Sequence, residues 1–333
     1  MRRLIINILK RIPPIKNLLE KLKNLENDHI PAPKADSENI NREINYKFYE
    51  GLHPDKYADE LKHWFKRWSG KTLNLENPQT FNEKIQWLKL NDSTPIKTRL
   101  TDKYLARDWV KERIGEKYLI PLLGTWDKFD DIDFDRLPDK FVLKANHGCG
   151  WNMIVNDKGS LDKAAAKKEF DRWMNTNFAF INGLELQYKT IPPKIIAEVF
   201  MENEGLDLYD YEIWCFNGTP KFIMFLAERS IGLKMAFYDL AWNLLPFTYS
   251  YPSYEKQVRR PDNLDEMIHI AEELCREFIH VRVDLYRLDN GALKFGEMTF
   301  TTASGQCAWN PPEYDSLIGQ LIVLPEWQKK SIQ

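Results

Sequence analysis

The spacing of apolar residues changes part-way along the chain. From about Tyr46 to Leu122, segments such as HPDKYADELKHWFKRW and FNEKIQWLKLND repeat apolar residues every three or four positions, which predicts amphipathic helices. After Lys140, short runs rich in β-branched and aromatic residues predict strands: FVLKA, KIIAEVF, YEIWCFNG, KFIMFLAE and KMAFYDLAW. Two helical stretches interrupt these strands. The pattern predicts an α+β chain with a helical front and a mostly antiparallel back.

The first 45 residues differ from the rest. MRRLIINILKRIPPIKNLLEKLKNL is basic and amphipathic, but its apolar run is short for a signal peptide and no small-residue cleavage site follows. Two interpretations stay open for residues 1–24: a helix lying on an anionic membrane surface, or an ordinary surface helix or frayed tail. From Glu26 to about Asn45 the chain is polar, contains two prolines and shows no periodicity, which predicts a linker.

Composition narrows the class of protein. The 333 residues are 43% hydrophobic and 29% charged, the range of an ordinary soluble globular protein. With 47 Lys+Arg against 49 Asp+Glu, the chain lacks the excess of positive charge that a dedicated nucleic-acid binder uses to neutralise phosphates. No apolar run reaches the length of a membrane-spanning helix. Four cysteines without a CxxC pair argue against a zinc site and favour reduced thiols in a cytoplasmic protein.

The segment VRVDLYRLDNGALKFGEMTF carries the most chemistry. Asn290-Gly291 favours a two-residue type I′ turn, which sets Asp284 opposite Glu297 on one face of a hairpin. The other face is expected to join the core through Val281, Val283, Leu285, Met298 and Phe300. Facing carboxylates repel by roughly 3 kcal/mol, so either a divalent cation or Arg282 is expected to neutralise them, unless the charges are merely scattered along an exposed strand. A three-residue loop would shift the register and break the pairing.

A second chemical motif is KFVLKANHGCGWN. Lys144 ends a strand that leads into a loop with Gly148 and Gly150. Glycines let backbone N–H groups approach phosphate oxygens closely, and a lysine adds a point charge. The order of residues is not that of a Walker loop. A lysine-bearing strand followed by a tight turn explains the segment equally well.

Together these motifs resemble, in their order, those of the ATP-grasp superfamily. The phrases FNEKIQWLKL, LTDKYLARDWV, LPDKFVLKANHGCGWN, DYEIWCFNG and GEMTFTTASG resemble the TupA-like ATP-grasp family over about Pro78 to Pro325. The resemblance implies an α+β ATP-grasp fold, in which two lobes with largely antiparallel sheets grip ATP behind a helical N-terminal region. The residue pattern predicts a basic segment and linker (1–45) and a helical region (46–139), and the resemblance adds a small lobe with the glycine-rich loop (140–200) and a large lobe with a metal-binding hairpin (201–333).

The resemblance also implies the nucleotide contacts. The phosphates of ATP would be held by two lysines and the glycine-rich loop: Lys103, Lys144, Asn146, His147, Gly148 and Gly150. Adenine would lie against a hinge made of Glu198, Val199 and Phe200, and the ribose would approach Asp210. For His147, a role as general base and a role in packing the loop both stay open, because histidine titrates near neutral pH.

The remaining implied roles concern the metal and the reacting phosphate. Mg²⁺ would be bound by Asp284, Glu297 and Thr299, although most of the superfamily has an asparagine where Thr299 stands. Arg282 and Lys144 would be the catalytic residues. Glu212 occupies a position where the family pattern leads us to expect a lysine.

The implied activity is an ATP-dependent carboxylate–amine ligase with an acylphosphate intermediate and ADP as product. Because the TupA-like family is associated with bacterial cell-surface polysaccharide and teichuronopeptide biosynthesis, the expected substrates are a glycan or sugar carboxylate, such as a uronic acid, and an amine or amino acid. The enzyme would be cytoplasmic, or peripheral at the inner face of the cytoplasmic membrane if residues 1–24 bind it. Two alternatives are a glycosyltransferase, with Asp131–Asp133 as its DxD motif, and a non-catalytic glycan-assembly protein.

Overall fold

The computed structural model describes residues 46–202, 208–228, 232–254, 256 and 258–325. The basic segment and linker predicted for residues 1–45, with their membrane contact, lie outside these ranges. In the part of the chain that is described, no helix is both long enough and apolar enough to cross a bilayer.

The helical front that the periodicity predicts is present. It contains α1 (Tyr57–Ser69), α2 (Phe81–Asn91), α3 (Pro95–Thr101) and α4 (Ala106–Ile114). Helix α2 begins with a capping box, in which the Thr80 hydroxyl accepts from the Glu83 N–H and the Glu83 carboxylate accepts from the Thr80 N–H. Helix α1 ends where Gly70 adopts the left-handed conformation, with φ of 71°.

A four-stranded antiparallel sheet forms the small lobe. Its strands are β1 (Leu122–Trp126), β2 (Phe141–Ala145), β3 (Asn152–Val155) and β4 (Ile195–Val199), in the order β1-β4-β2-β3. Helix α5 (Lys163–Met174) packs on it through Phe170 and Trp173. Strand β1 falls in the region 46–139, which the sequence predicts to be helical. All five of its residues are half-buried, so the strand lacks the alternation of buried and exposed positions that identifies strands.

The rest of the described chain builds a larger antiparallel sheet. In chain order its elements are β5 (Tyr209–Phe216), β6 (Thr219–Ala227), β7 (Lys234–Asp239), β8 (Thr248–Tyr249), α6 (Leu264–Cys275), β9 (His280–Arg287), β10 (Leu293–Thr299), β11 (Trp309–Asn310) and α7 (Tyr314–Gly319). Five of the strands pair in the order β10-β9-β5-β6-β7, while β8 pairs with β11.

Alternate residues of the large sheet face two different cores. On one face, side chains of β5, β6, β9 and β10 pack with residues of α4 and α6, and the expected core residues Val281, Val283, Leu285, Met298 and Phe300 all lie there. On the other face, Trp214 and Phe216 pack with residues of α2. Where this second face reaches β9 and β10, its side chains become polar.

The hairpin of β9 and β10 has the predicted pairing of Asp284 with Glu297, but its turn differs from the predicted one. The Leu288 N–H donates to the Ala292 carbonyl, so the loop has three residues and the prediction of a two-residue turn is wrong. Gly291 has φ of 79°, as the last residue of such a loop often requires. The loop shifts the register by one residue, and a β-bulge at Gly296 shifts it back. Asp284 therefore does lie opposite Glu297.

Candidate active site

Polar side chains from both sheets meet around a small cavity of about 20 Å³. The cavity is bordered by Lys103 and Arg107, by Lys144 and Glu198 of the small sheet, and by Glu297 of the large sheet. This volume is about that of a single water site. The side chains in this region therefore contact one another directly and form the ion pairs described below.

Two cations hold Glu198 in place. The Lys144 Nζ donates to Glu198 Oε2 at 2.6 Å, and Arg107 Nη1 donates to Glu198 Oε1 at 3.0 Å. The pairing of β2 with β4 makes Lys144 and Glu198 diagonal neighbours on one face of the sheet. Arg107 was not predicted from the sequence. Its position four residues after Lys103, in DKYLAR, is the only signal that could have indicated it.

Lys103 connects the glycine-rich loop with β10. Its Nζ donates to the Gly148 carbonyl at 2.8 Å and lies 3.2 Å from Glu297 Oε2. Burial raises the pKa of Glu297, but the charges of Lys103 and Arg282 outweigh burial and bring that pKa down to about 2. Glu297 is therefore a carboxylate at neutral pH, and Lys103 is its closest ion-pair partner.

Arg282 neutralises the acidic residues of the hairpin. Its Nε and Nη2 donate to the two oxygens of Asp284 at 2.8 and 2.6 Å. Its Nη1 lies 3.1 Å from Glu212 Oε2, an ion-pair distance without the alignment of a hydrogen bond, and its Nη2 lies 3.9 Å from Glu297 Oε1. Arg282 therefore offsets the charge of Asp284 directly and that of Glu297 in part.

Glu212 is part of this same arrangement. It lies opposite Asp284 in the pairing of β5 with β9, so three acidic residues stand side by side on adjacent strands. Burial raises the pKa of Glu212 well above its usual range, an effect that Arg282 opposes. The residue found where a lysine is expected is thus a buried acid beside Arg282.

The donor atoms of the hairpin suit Mg²⁺. Asp284 and Glu297 place carboxylate oxygens on one face, and the Thr299 hydroxyl donates to Glu297 Oε1 at 3.2 Å. Mg²⁺ is commonly bound by one or two carboxylates together with phosphate oxygens. Both Asp284 oxygens accept hydrogen bonds from Arg282 here. Over the described residues, no group of three or more His, Cys, Asp or Glu side chains is arranged to hold a metal by itself.

The first two residues of the glycine-rich loop are engaged inside the protein. Asn146 is fully buried, donating to the Pro192 carbonyl and accepting from the Lys194 N–H. The ring nitrogens of His147 lie 3.2 Å from Asn146 Oδ1 and 3.1 Å from the Trp173 carbonyl, and burial lowers the pKa of His147. This environment favours loop packing over general-base chemistry for His147.

The two glycines of the loop serve different purposes. A Cβ on Gly148 would lie 2.2 Å from the Trp151 ring, so only glycine fits there without moving the indole. Gly150 has open space around it but a φ of 72°, which side-chain-bearing residues rarely adopt. The backbone of the loop is therefore fixed by packing at one glycine and by conformation at the other.

The residues expected near adenine and ribose lie at the ends of two strands. Glu198 and Val199 close β4, and Phe200 follows it half-buried. Asp210 lies buried on β5, opposite Tyr286 of β9 and two residues before Glu212. By strand alternation it shares the face that carries Glu212 and Asp284.

Asp131 and Asp133, the DxD motif of the glycosyltransferase alternative, lie in a loop with two short 3₁₀ turns. Asp131 ends one short 3₁₀ turn, and Asp133 caps the next by accepting from the Asp135 N–H at 3.2 Å. Both aspartates are exposed. Asp133 thus has a capping role in a surface loop.

A buried lysine supports the segment that follows β10. Lys89 is fully buried, and its Nζ donates to the Ser304 hydroxyl at 2.7 Å and to carbonyls of Ser304 and Gly183 at 2.8 and 3.0 Å. Burial lowers the pKa of Lys89 to about 7, although Glu185 opposes the shift. Ala303 and Ser304 both have positive φ, so Lys89 stabilises a strained turn.

Comparison with solved structures finds similarity to several ligases and a synthetase. An L-amino acid ligase from Bacillus licheniformis is 12% identical with a TM-score of 0.44, over 79% of this chain and 61% of that one. D-alanine–D-alanine ligase from Bacillus anthracis complexed with ATP is 15% identical with a TM-score of 0.39, over 67% and 65%. N5-carboxyaminoimidazole synthetase from Staphylococcus aureus is 15% identical with a TM-score of 0.35, over 60% and 44%. The chain thus spans less than two thirds of each.

Comparison with protein families identifies a family that matches most of the chain. No curated protein matches the sequence. The family described as TupA-like ATPgrasp matches residues 83–323, a range that includes Lys103, Lys144 and the whole hairpin of β9 and β10. The match confirms both the resemblance read from the motifs and the expected α+β ATP-grasp fold. The chain belongs to the TupA-like ATPgrasp family.

Proposed function

We propose that the protein is an ATP-dependent carboxylate–amine ligase, and that ATP binds between the two sheets. The observation that carries the proposal is that Lys103, Lys144 and Glu297 border one cavity. Next to it, Arg282 pairs with Asp284 and lies 3.9 Å from Glu297. Three cations suit a triphosphate and two carboxylates suit its metal. The similarity to amino-acid ligases points to the same reaction class.

Nucleotide binding gives the two lysines, Lys103 and Lys144, phosphate oxygens as partners in place of carboxylates. Lys144 now pairs with Glu198, and Lys103 pairs with Glu297. When the triphosphate enters, its oxygens replace the carboxylates at both lysines. Glu198 keeps its ion pair with Arg107, and Glu297 keeps Arg282 at 3.9 Å, so each of the two carboxylates still has a cation nearby. When Mg²⁺ is bound, it neutralises phosphate charge, and Asp284 and Glu297 are the residues that would hold it.

The reaction then proceeds in two steps. An oxygen of the substrate carboxylate attacks the γ-phosphorus, the bond to ADP breaks, and an acylphosphate forms. The amine nitrogen attacks the acyl carbon and loses a proton, and phosphate leaves with the former carboxylate oxygen. Arg282 and Lys144 stabilise the charge on the transferred phosphoryl group, which together with positioning provides most of the catalysis in such reactions.

We further propose a sugar carboxylate of a cell-surface polysaccharide, or of its precursor, as the acid, and an amine or amino acid as the second substrate. The association of TupA-like proteins with surface polysaccharides supports this choice. The basic residues 1–24 would bring the enzyme to the inner face of the membrane. Deleting them should reduce co-sedimentation with anionic liposomes at low salt while leaving ATP binding unchanged.

The test is ADP release from ATP and Mg²⁺ in the presence of uronic acids combined with amino acids or amino alcohols. We expect at least one acid and amine together to stimulate ADP release, and Lys144→Ala to abolish the stimulation. The matched control is Lys194→Ala, which removes a half-buried lysine from its ion pair with the exposed Asp127. Release of AMP, or no stimulation across the panel, would contradict the proposal.

A further inference from the structure

A second cavity, of about 360 Å³, lies at the end of the large sheet where β5 begins and β9 ends. Its volume is near the lower end of the range of about 300–1,000 Å³ typical of small-molecule sites. Four aromatic and three guanidinium side chains line most of it: Tyr209, Tyr211, Phe225, Tyr254, Arg259, Arg260 and Arg287. The cavity therefore combines flat apolar surfaces with positive charge.

The aromatic rings of the cavity pack around Phe225. Phe225 and Tyr211 are buried, with ring centroids 5.4 Å apart. Tyr209 and Tyr254 are half-buried, with centroids 5.2 and 5.6 Å from that of Phe225. A half-buried tyrosine offers an apolar face and a hydroxyl side by side. That combination suits a ring whose faces are C–H groups and whose edges are hydroxyls.

The rim carries three arginines, and two of them form ion pairs that are partly exposed. Arg259, Arg260 and Arg287 line the cavity together with Asp262. Arg260 pairs with Asp265 at 2.6 Å, and the Arg287 Nε donates to the side chain of Asn263 at 3.1 Å. The Arg259–Asp262 pair is 3.0 Å long, with side chains 87% and 74% exposed. Such exposed pairs contribute little free energy. A ligand carboxylate can therefore replace Asp262 at Arg259, and the planar guanidinium suits a bidentate contact.

This cavity is separate from the candidate active site. Tyr211 and Phe225 belong to the face of the large sheet that packs against α6. Glu212 and Asp284 lie on the opposite face, because successive residues of a strand alternate in direction. A ligand in the second cavity therefore does not contact the reacting groups, and the lysines and acids of the active site play no part in binding it.

We propose that the second cavity binds a uronic acid unit of an acidic oligosaccharide, with the sugar ring between Tyr209 and Tyr254 and its carboxylate on the arginine rim. The inference rests on the proposed function in one respect: the bound oligosaccharide is a part of the proposed glycan substrate. The cavity holds a part of the glycan that is not undergoing reaction. It thereby selects acidic chains over neutral ones and raises the local concentration of substrate near the enzyme.

The experiment is calorimetric titration of the full chain with trigalacturonate, without nucleotide and at low salt. We expect binding that is about tenfold weaker in Arg259→Ala and in Tyr254→Ala, and at least tenfold weaker for the neutral trisaccharide maltotriose. The matched control is Arg136→Ala. Arg136 forms a similar exposed pair with Asp133 at 3.2 Å, also three residues apart, but lies outside the cavity. This control should bind trigalacturonate as the wild type does.

Three results would overturn the inference: no binding of trigalacturonate, equal binding of maltotriose, or an equal loss of affinity in Arg136→Ala and Arg259→Ala. Inorganic phosphate that competes at equal concentration would show a simple anion site and would also overturn it. The proposed function is tested separately by ADP release from monomeric acids. If trigalacturonate does not bind but monomeric acids stimulate ADP release, only the inference is contradicted. If trigalacturonate binds but no acid stimulates ADP release, only the proposed function is contradicted.

Discussion

Replacing Asp284 by asparagine separates two views of the hairpin. If repulsion between facing carboxylates dominated, removing one charge would leave the protein equally stable or more stable. In the structure, however, Asp284 accepts two hydrogen bonds from the buried guanidinium of Arg282. Asp284→Asn removes the charge with little change in size, so the sign of its effect on stability shows which interaction is larger.

The magnitudes favour the ion pair. At an effective dielectric constant of 20, unit charges at the Arg282–Asp284 distances of 2.6–2.8 Å attract by roughly 6 kcal/mol. Repulsion by Glu297, from the opposite position across the ladder at about 5 Å, amounts to roughly 3 kcal/mol. Glu212 lies opposite Asp284 on the other side, but burial raises its pKa well above the usual range and disfavours a second repelling charge there. Attraction to Arg282 therefore exceeds repulsion, and an asparagine recovers part of the difference by accepting one hydrogen bond. We therefore expect Asp284→Asn to lower the free energy of unfolding by about 2 kcal/mol.

The assay is urea unfolding without nucleotide and with a chelator of divalent cations. Asp133→Asn is the matched control, because its partner Arg136 is 89% exposed and such a pair contributes at most about 1 kcal/mol. In Asp284→Asn, the stabilisation that Mg²⁺ and ATP give the wild type should also be lost. An unfolding free energy equal to or above that of the wild type would refute the reasoning from the ion pair.

Three further perturbations test the ion pairs and the buried lysine. Against the effect of burial, Lys103 and Arg282 hold the pKa of Glu297 at about 2, so its charge stabilises the fold above about pH 4.5 and that stabilisation is lost as pH falls toward 2. The difference in melting temperature between wild type and Glu297→Gln should therefore shrink from pH 6 to pH 3, and a constant difference would contradict this. Lys144→Ala should raise the Kd for ATP at least tenfold by calorimetry. Its free energy of unfolding should stay within about 1 kcal/mol of the wild type, because Arg107 still pairs with Glu198. Unchanged affinity for ATP would show that Lys144 does not belong to the nucleotide site. Lys89→Met should cost about 3 kcal/mol in urea unfolding, because buried carbonyls of Gly183 and Ser304 lose their hydrogen-bond donor. The exposed Lys66→Met should change little, and equal effects of the two substitutions would be evidence against the role of Lys89.

Part of the fold follows directly from local sequence patterns. The helices α1 to α4 show apolar spacing and caps that a single sequence reveals, and the strands of the large sheet are long and rich in aromatic residues. Strand β1 was missed because each of its residues is half-buried, so its pairing with β4 is a tertiary feature. The residue at which the small lobe begins therefore could not be predicted from the sequence pattern alone.

The hairpin shows how a correct pairing can follow from an incomplete argument. Asn290-Gly291 suggested a two-residue turn, but the three-residue loop ends with Gly291 in the left-handed conformation. Gly296 compensates as the extra residue of a bulge, and a Cβ there would lie only 3.1 Å from the Asp284 carbonyl. Two one-residue shifts of opposite direction cancel. A sequence alone does not show this, because glycine is compatible with a turn, a bulge and a close contact.

The sequence predicted most residues of the candidate site, but it did not predict which of them form ion pairs with each other. Lys103, Lys144, Arg282 and the two hairpin acids converge, but their pairing depends on the meeting of two sheets that lie far apart in sequence. Arg107 and Glu212 acquire their roles only through that contact, Arg107 as the second cation on Glu198 and Glu212 as a buried acid beside Arg282. Burial and long-range charge, which set the pKa values here, are tertiary properties.

The central claim is that this site joins a carboxylate to an amine through an acylphosphate. Its most direct test uses the acid and amine that give the greatest ADP release, with ¹⁸O in both carboxylate oxygens of the acid. The account predicts that each ADP formed is accompanied by one phosphate carrying one ¹⁸O atom, since the carboxylate oxygen leaves with the phosphoryl group. Phosphate without the label, or AMP in place of ADP, would contradict the account.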